Sequence, residues 1–226
     1  MAEALRQARQ PRARASAGGW QWTRTAETQR ALLDAAREVF TEQGFASASV
    51  TDVVERAGSS VGSLYHHFGG KSELFIALWQ EYSDAQEEAA DRAVAQARRA
   101  GATDPLALFS AGAKAYLESC WQLRKLAVLF RTGDAPPSFG TLAREDGCQW
   151  IGRLDSLDGL AGKSGDQLYV TILASLVREG AREVAAAKSR RQATSTISAV
   201  LEYVRRLMAD GPWQPAVKPA VAAPVG

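Results

Sequence analysis

A short segment near residue 60 concentrates side chains suited to contacting a nucleic acid. Within eight residues it combines hydroxyls, imidazoles, a glycine and a valine: Ser60, Val61, Gly62, Ser63, Tyr65, His66 and His67. Hydroxyl and imidazole groups bind base edges and phosphates, valine can pack on a thymine methyl group, and glycine permits close backbone approach. Adjacent histidines point in different directions on a helix, and no Cys, Asp or Glu follows at ligand spacing, so this pair does not favour a metal site.

Two short helices are predicted to position these side chains. Ser49 and Asp52 fit a capping box at the start of a helix that Gly58 ends. Ser60 can cap the next short helix. Two short helices joined by a tight turn are typical of a helix-turn-helix, here over residues 49–68, whose second helix reads the major groove.

Helical spacing of apolar residues extends along the whole chain, and strand patterns are nearly absent. The first helix is predicted over Thr25–Gln43, another begins at Asp104-Pro105, and the last covers Arg190–Ala209. The stretch Tyr82–Ala100 is predicted to be helical, either as one helix or as the end of one helix and most of another. We therefore predict an all-α protein with an N-terminal three-helix helix-turn-helix domain and a larger C-terminal helical bundle.

The net excess of positive charge is confined to the beginning of the chain, residues 1–24, called here the arginine arm. The arm holds five arginines against one glutamate, a net charge of +4, whereas residues 25–71 carry a net charge of −2. Because affinity for DNA depends largely on neutralising phosphates, we hypothesise that Arg6 to Arg24 supply much of it. A solvated tail without a function is the alternative interpretation.

Composition excludes several other classes of protein. No apolar run approaches the roughly 18 to 20 residues that span a bilayer, and no secretory signal is visible. Cys120 and Cys148 form no metal or redox motif, which favours a cytoplasmic protein with free thiols. We find no nucleophile–base pair, metal cluster or phosphate loop, so we predict no enzyme activity, no cofactor and no metal.

A resemblance to the TetR family of bacterial repressors is carried by the run AGSSVGSLYHHF over residues 57–68, with Lys71 beyond it. The upstream pattern is also similar to that family: Leu32-Leu33-Asp34-Ala35-Ala36, then Phe40, Gly44-Phe45 and Ser49-Val50. The resemblance covers about residues 25–82, and beyond it only length and helicity match. Position 61 departs from the family pattern, because Val61 stands where polar or basic residues are common.

The resemblance implies the residues that contact DNA. Ser49 and Thr51 would touch a phosphate or a groove edge, and Lys71 would bind a phosphate. The predicted DNA-binding residues are Arg24, Ser49, Thr51, Ser60, Val61, Gly62, Ser63, Tyr65, His66, His67 and Lys71.

The C-terminal bundle is expected to bind a ligand and to dimerise. Large rings in an apolar cavity are typical of small-molecule sites, so the candidate ligand contacts are Phe109, Tyr116, Trp121, Phe130, Trp150 and Tyr169. The last two helices carry apolar residues on more than one face, and the resemblance implies that they form the dimer interface. Its candidates are Leu168, Ile172, Leu176, Ile197, Val200 and Val204.

The resulting prediction is a homodimeric repressor that binds a palindromic double-stranded operator, is released from it by an unknown small-molecule effector and has no contact with a membrane. The predicted domains are a disordered arm (1–24), the helix-turn-helix domain (25–71), the ligand-binding and dimerisation domain (72–211) and a disordered tail (212–226). Alternatives are an activator, a ligand-independent regulator, a nonspecific architectural protein or an enzyme in the C-terminal bundle.

Overall fold

The computed structural model describes residues 17–131, 133–145 and 166–209, and these ranges contain helices and no strand. The described helices are α1 (Ala17–Gln43), α2 (Val50–Arg56), α3 (Val61–Phe68), α4 (Lys71–Arg99), α5 (Pro105–Gln122), α6 (Arg124–Arg131), α7 (Phe139–Glu145), α8 (Asp166–Ala186) and α9 (Arg190–Ala209). The prediction of an all-α protein is confirmed for these residues.

Local signals fix the two short helices. Ser49 and Asp52 form the predicted capping box at the start of α2, and the Ser60 hydroxyl accepts a hydrogen bond from the backbone N–H of Ser63 at the start of α3. Gly58 and Gly69 follow α2 and α3 with φ of +59° and +91°, a left-handed conformation that glycine adopts without strain.

The first helix begins at Ala17 and not at Thr25, so the last eight residues of the predicted disordered arm are helical. Adding a residue to an existing helix contributes one backbone hydrogen bond, and no proline interrupts this stretch. The backbone of Arg24 therefore belongs to α1. Residues 1–16 and the predicted disordered tail 212–226 lie outside the described residues.

Helix α4 runs unbroken from Lys71 to Arg99, through a stretch where the sequence also allowed two separate helices. Its first half contributes Leu74, Phe75 and Leu78 to a core shared with α1, α2, α3 and α6, and its second half contributes Ala90 and Val94 to a core shared with α5, α8 and α9. One rigid helix thus joins the helix-turn-helix to the C-terminal bundle. The exact boundary at residues 71 and 72 stays a prediction.

The C-terminal bundle is built on α5. Phe109, Ala113, Tyr116 and Cys120 recur on one face of α5 and are buried in the bundle. Helices α8 and α9 pack on α5 and on each other. Within the described ranges, no helix has the length and apolarity that crossing a bilayer requires.

Candidate nucleic-acid interface and aromatic cavity

Helix α3 presents one face to solvent and holds the other in the core. Leu64 is fully buried, whereas Val61 is 44% and Tyr65 54% exposed, unusually high values for large apolar or aromatic side chains. Gly62 and His66 are exposed on the same side. The structure therefore leaves this face available to a partner, as predicted for a recognition helix, although DNA contact itself stays a prediction.

Several predicted contact residues also serve the local fold. The Ser49 hydroxyl accepts a hydrogen bond from the Asp52 N–H at 3.1 Å and donates one to Asp52 Oδ2 at 2.7 Å. The Ser49 backbone N–H also donates to Asp52 Oδ2. The hydrogen bond from the hydroxyl and, to a smaller extent, the one from the backbone N–H hold the pKa of Asp52 below its ordinary value. Ser60 is a cap and Ser63 is half-buried, whereas Thr51 is exposed at the start of α2.

Lys71 has partners different from the predicted phosphate. Its Nζ donates to the backbone oxygens of Phe45 at 2.8 Å, Ala46 at 3.3 Å and Ala48 at 2.8 Å, and it lies 4.5 Å from the centre of the Phe45 ring. An ammonium group has three donors, so all of them are used. Lys71 thereby fixes the 44–48 turn between α1 and α2 against the start of α4.

The same turn is held from the other side by Asp134, in the loop between α6 and α7. Its Oδ1 accepts a hydrogen bond from the backbone N–H of Ala46 at 2.8 Å. The turn that leads into the helix-turn-helix is therefore attached to both α4 and the α6–α7 loop.

All three arginines between residues 25 and 71 form ion pairs within the protein. Arg30 and Arg37 reach Glu81 of α4 at 2.8 Å and 2.7 Å, and Arg56 reaches Glu42 at 2.7 Å. With Lys71 also engaged, each lysine and arginine of this range has a partner in the structure. The described domain thus offers little unpaired positive charge to DNA.

His66 and His67 contact each other, and Cys120 contacts a side chain of α4. The rings of His66 and His67 stand 5.2 Å apart, and no group of three or more potential metal ligands occurs among the described residues. Cys120 is buried, and its sulfur accepts a hydrogen bond from Gln86 Nε2 at 2.9 Å. Cys148 lies outside the described residues.

A cavity of about 170 Å³, called here the aromatic cavity, lies among α4, α5, α6, α7 and α8. Its walls include the rings of Trp79, Tyr82, Tyr116 and Phe130. Burial raises the pKa of Tyr82 above its ordinary value, so this phenol remains protonated at neutral pH.

The six predicted ligand contacts separate into three groups. Tyr116 and Phe130 line the cavity. Phe109 is a fully buried core residue, the Trp121 ring lies 4.3 Å from the Arg124 guanidinium, and the Tyr169 hydroxyl donates to the Leu207 carbonyl at 3.1 Å. None of these three lines the cavity, because their helices turn them toward other neighbours. Trp150 lies outside the described residues.

Sequence reasoning missed most of the α4 wall of the cavity. Trp79, Tyr82 and Gln86 recur at spacings of three and four residues, which places them on one helix face. The signal that was available is Gln86, a polar residue on an otherwise apolar stripe; it is buried in the structure.

The predicted dimer contacts on α9 need a correction. Ile197, Val200 and Val204 are buried within the single chain, in the core shared with α5 and α8. The apolar stripe was recognised correctly, but the chain covers it itself. On α8, Leu168 and Ile172 are 68% and 44% exposed. Leu176 is half-buried, and Tyr203 and Leu207 of α9 are exposed as well.

Comparison with known proteins identifies the first domain. Residues 32–78 match the family of bacterial regulatory proteins called the tetR family. The chain is 44% identical over 50 residues to the transcriptional repressor AcnR of Corynebacterium efficiens, which is 22% of this chain and 27% of that protein. It is 43% identical over 53 residues to the transcriptional activator FasR of Mycolicibacterium smegmatis, 24% of each chain. These alignments thus span about a quarter of the relatives' length.

Solved structures extend the likeness to the whole fold. A putative TetR-family regulator from Mesorhizobium loti has a TM-score of 0.61 at 20% identity, over 84% of this chain and 99% of that one. A TetR-family regulator from Pectobacterium atrosepticum has a TM-score of 0.56 at 24% identity, over 85% and 98%. Residues 32–78 are thus similar to the tetR family of bacterial regulatory proteins, and the helical architecture of the described residues is the fold of these solved structures.

Proposed function

We propose that this protein is a dimeric, sequence-specific DNA-binding transcriptional regulator of the cytoplasm that reads a palindromic operator with α3. A two-fold dimer presents two recognition helices to half-sites one helical turn apart. The exposed Val61 and Tyr65 and the regulators named among the relatives support this proposal.

The observation that carries the proposal is Gly62. Nothing lies within 4 Å of the position that a Cβ atom would occupy there, and its backbone is helical. Within a helix glycine is less stable than alanine by up to about 1 kcal/mol. Packing within the fold therefore does not require a glycine at position 62. Close approach of the α3 backbone to a DNA groove would require one.

The contacts made along α4 support control of DNA binding by a ligand. The helix starts at Lys71, which binds the 44–48 turn; Glu81 holds α1; and Trp79, Tyr82 and Gln86 line the aromatic cavity. A small molecule with different affinities for two positions of α4 would shift the spacing of the recognition helices. We propose that binding releases the operator and that the exposed Leu168 and Ile172 belong to the dimer interface.

The test begins with selection of double-stranded DNA by the full chain from a random pool, followed by footprinting of the selected site. One short protected palindrome is expected, whereas uniform coating of DNA would indicate an architectural protein. A reporter gene behind that site then gives the sign of regulation, since the relatives include both a repressor and an activator.

The matched pair Gly62→Ala and Gly140→Ala tests α3 itself, because both glycines lie in helices with open space around them. Both changes should leave stability equal or higher. Only Gly62→Ala should weaken operator binding, about tenfold, the loss expected when a groove contact of about 1–3 kcal/mol is disturbed. Equal operator affinity of the two variants would show that α3 is not part of the DNA interface.

A further inference from the structure

The aromatic cavity has an apolar body formed by three rings that contact one another. The Trp79 and Phe130 centroids are 5.1 Å apart, those of Tyr82 and Phe130 5.3 Å, and those of Trp79 and Tyr82 5.5 Å. The planes of these rings are tilted or perpendicular. Such a wall offers both ring faces and ring edges, which suits a further aromatic ring.

Positive charge surrounds this body. Arg131, Arg178 and Arg182 line the cavity, and Glu87 is the one carboxylate among the described lining residues. Arg182 is paired with Glu179 at 3.3 Å, and Arg131 donates to the backbone oxygen of Arg182 at 2.7 Å. The lining therefore carries an excess of two positive charges over carboxylates.

Arg178 differs from the other two arginines. It is half-buried and makes no hydrogen bond or ion pair with any residue in the described ranges. Its guanidinium therefore has donors available for a ligand in the cavity. A carboxylate matches a guanidinium through two parallel, charge-assisted hydrogen bonds.

The size of the cavity limits the ligand. An apolar cavity of about 150 Å³ holds benzene, and this one measures about 170 Å³. One six-membered ring with a small substituent therefore fits.

We propose that the aromatic cavity binds a single-ring aromatic carboxylate, with the ring packed against the wall formed by Trp79, Tyr82 and Phe130 and the carboxylate on Arg178. This inference rests on the proposed ligand control and names the chemical class of the effector.

The experiment is calorimetric titration of the full chain, without DNA, with benzoate, benzamide and benzylammonium. These probes share the ring and differ in charge. Benzoate should bind about tenfold or more tightly than benzamide, because hydrogen bonds to charged groups are the stronger ones. Benzylammonium should bind most weakly, because the lining carries excess positive charge.

Arg178→Gln should weaken benzoate binding about tenfold or more and leave benzamide binding unchanged. The matched control is Arg98→Gln, which removes the same charge from an exposed position on α4 outside the cavity. Both variants should melt at the wild-type temperature. Equal affinities of the wild-type chain for benzoate and benzamide, no binding of any probe at millimolar concentration, or an unaltered benzoate affinity in Arg178→Gln would overturn the inference.

The outcome is separable from the proposed function. If benzoate binds through Arg178 but the protein stays on the selected DNA, the proposed ligand site is retained and release of DNA by this ligand is refuted. If the protein selects a palindrome but does not bind benzoate, the DNA-binding proposal is retained and the proposed class of ligand is refuted.

Discussion

Replacement of Lys71 by methionine separates a structural role from a role in DNA binding. Methionine keeps the unbranched apolar stem that lies over Phe45 and removes only the ammonium group. The backbone oxygens of Phe45, Ala46 and Ala48 then lose their shared donor. The 44–48 turn should therefore be held less firmly against α4.

The size of the effect follows from the three hydrogen bonds. The bonds to Phe45 and Ala48 are 2.8 Å long and part-buried, whereas the bond to Ala46 is longer and exposed. Hydrogen bonds to a charged group contribute about 1.5–3 kcal/mol each. Because water partly replaces the lost donor, we expect Lys71→Met to lower the free energy of unfolding by about 2–4 kcal/mol. For a chain of this size that lowers Tm by about 5–15 °C.

Urea unfolding followed by circular dichroism gives the loss of stability. The control is Lys125→Met, an exposed lysine that has no hydrogen bond or ion pair with any of the described residues. The salt dependence of binding to the selected DNA is measured on the same proteins at a temperature where both are folded. If Lys71 instead neutralises a phosphate, the salt slope falls by about 0.9. A reduced salt slope together with unaltered stability would refute the structural role of Lys71.

Two further predictions concern the arginine arm and the α8–α9 contact. Deleting residues 1–16 removes four of the five arginines of the arm and leaves α1 whole. Operator affinity should fall and the salt slope should decrease by about 0.9 for each arginine that contacts a phosphate, so an unchanged slope would contradict the hypothesis. In Gly180→Ala the new Cβ would lie 2.5 Å from Val200 Cγ2, and we expect this overpacking to cost about 1–3 kcal/mol of stability in chemical denaturation. Gly140→Ala, with open space around it, is the control; equal stability of the two would mean that α8 and α9 do not pack in this way.

The local features of the helix-turn-helix could be predicted because each depends on a few neighbouring residues. A capping box needs only Ser49 and Asp52 three residues later, and a helix end needs only a glycine such as Gly58 or Gly69 that tolerates positive φ. The exposed face of α3 followed from its 3.6-residue period. The arm was assigned from composition, and composition did not reveal that α1 begins at Ala17.

Features that depend on distant segments could not be predicted in the same way. The resemblance implied that Lys71 binds a phosphate. Spacing along the chain does not show that three carbonyl oxygens, 23 to 26 residues earlier, surround its ammonium. Glu81 neutralises Arg37, 44 residues away, only because α4 packs on α1.

The sequence by itself determined the helical class, the helix-turn-helix with its caps and turns, and the net negative charge of that domain. The tertiary structure decided which neighbour covers each apolar stripe. Helical spacing shows that Ile197, Val200 and Val204 share one face of α9, but the same stripe fits a partner subunit or the chain's own α5 and α8. Only the packing of the helices shows that it is buried within the chain and that Tyr116 and Phe130, unlike Phe109, face a cavity.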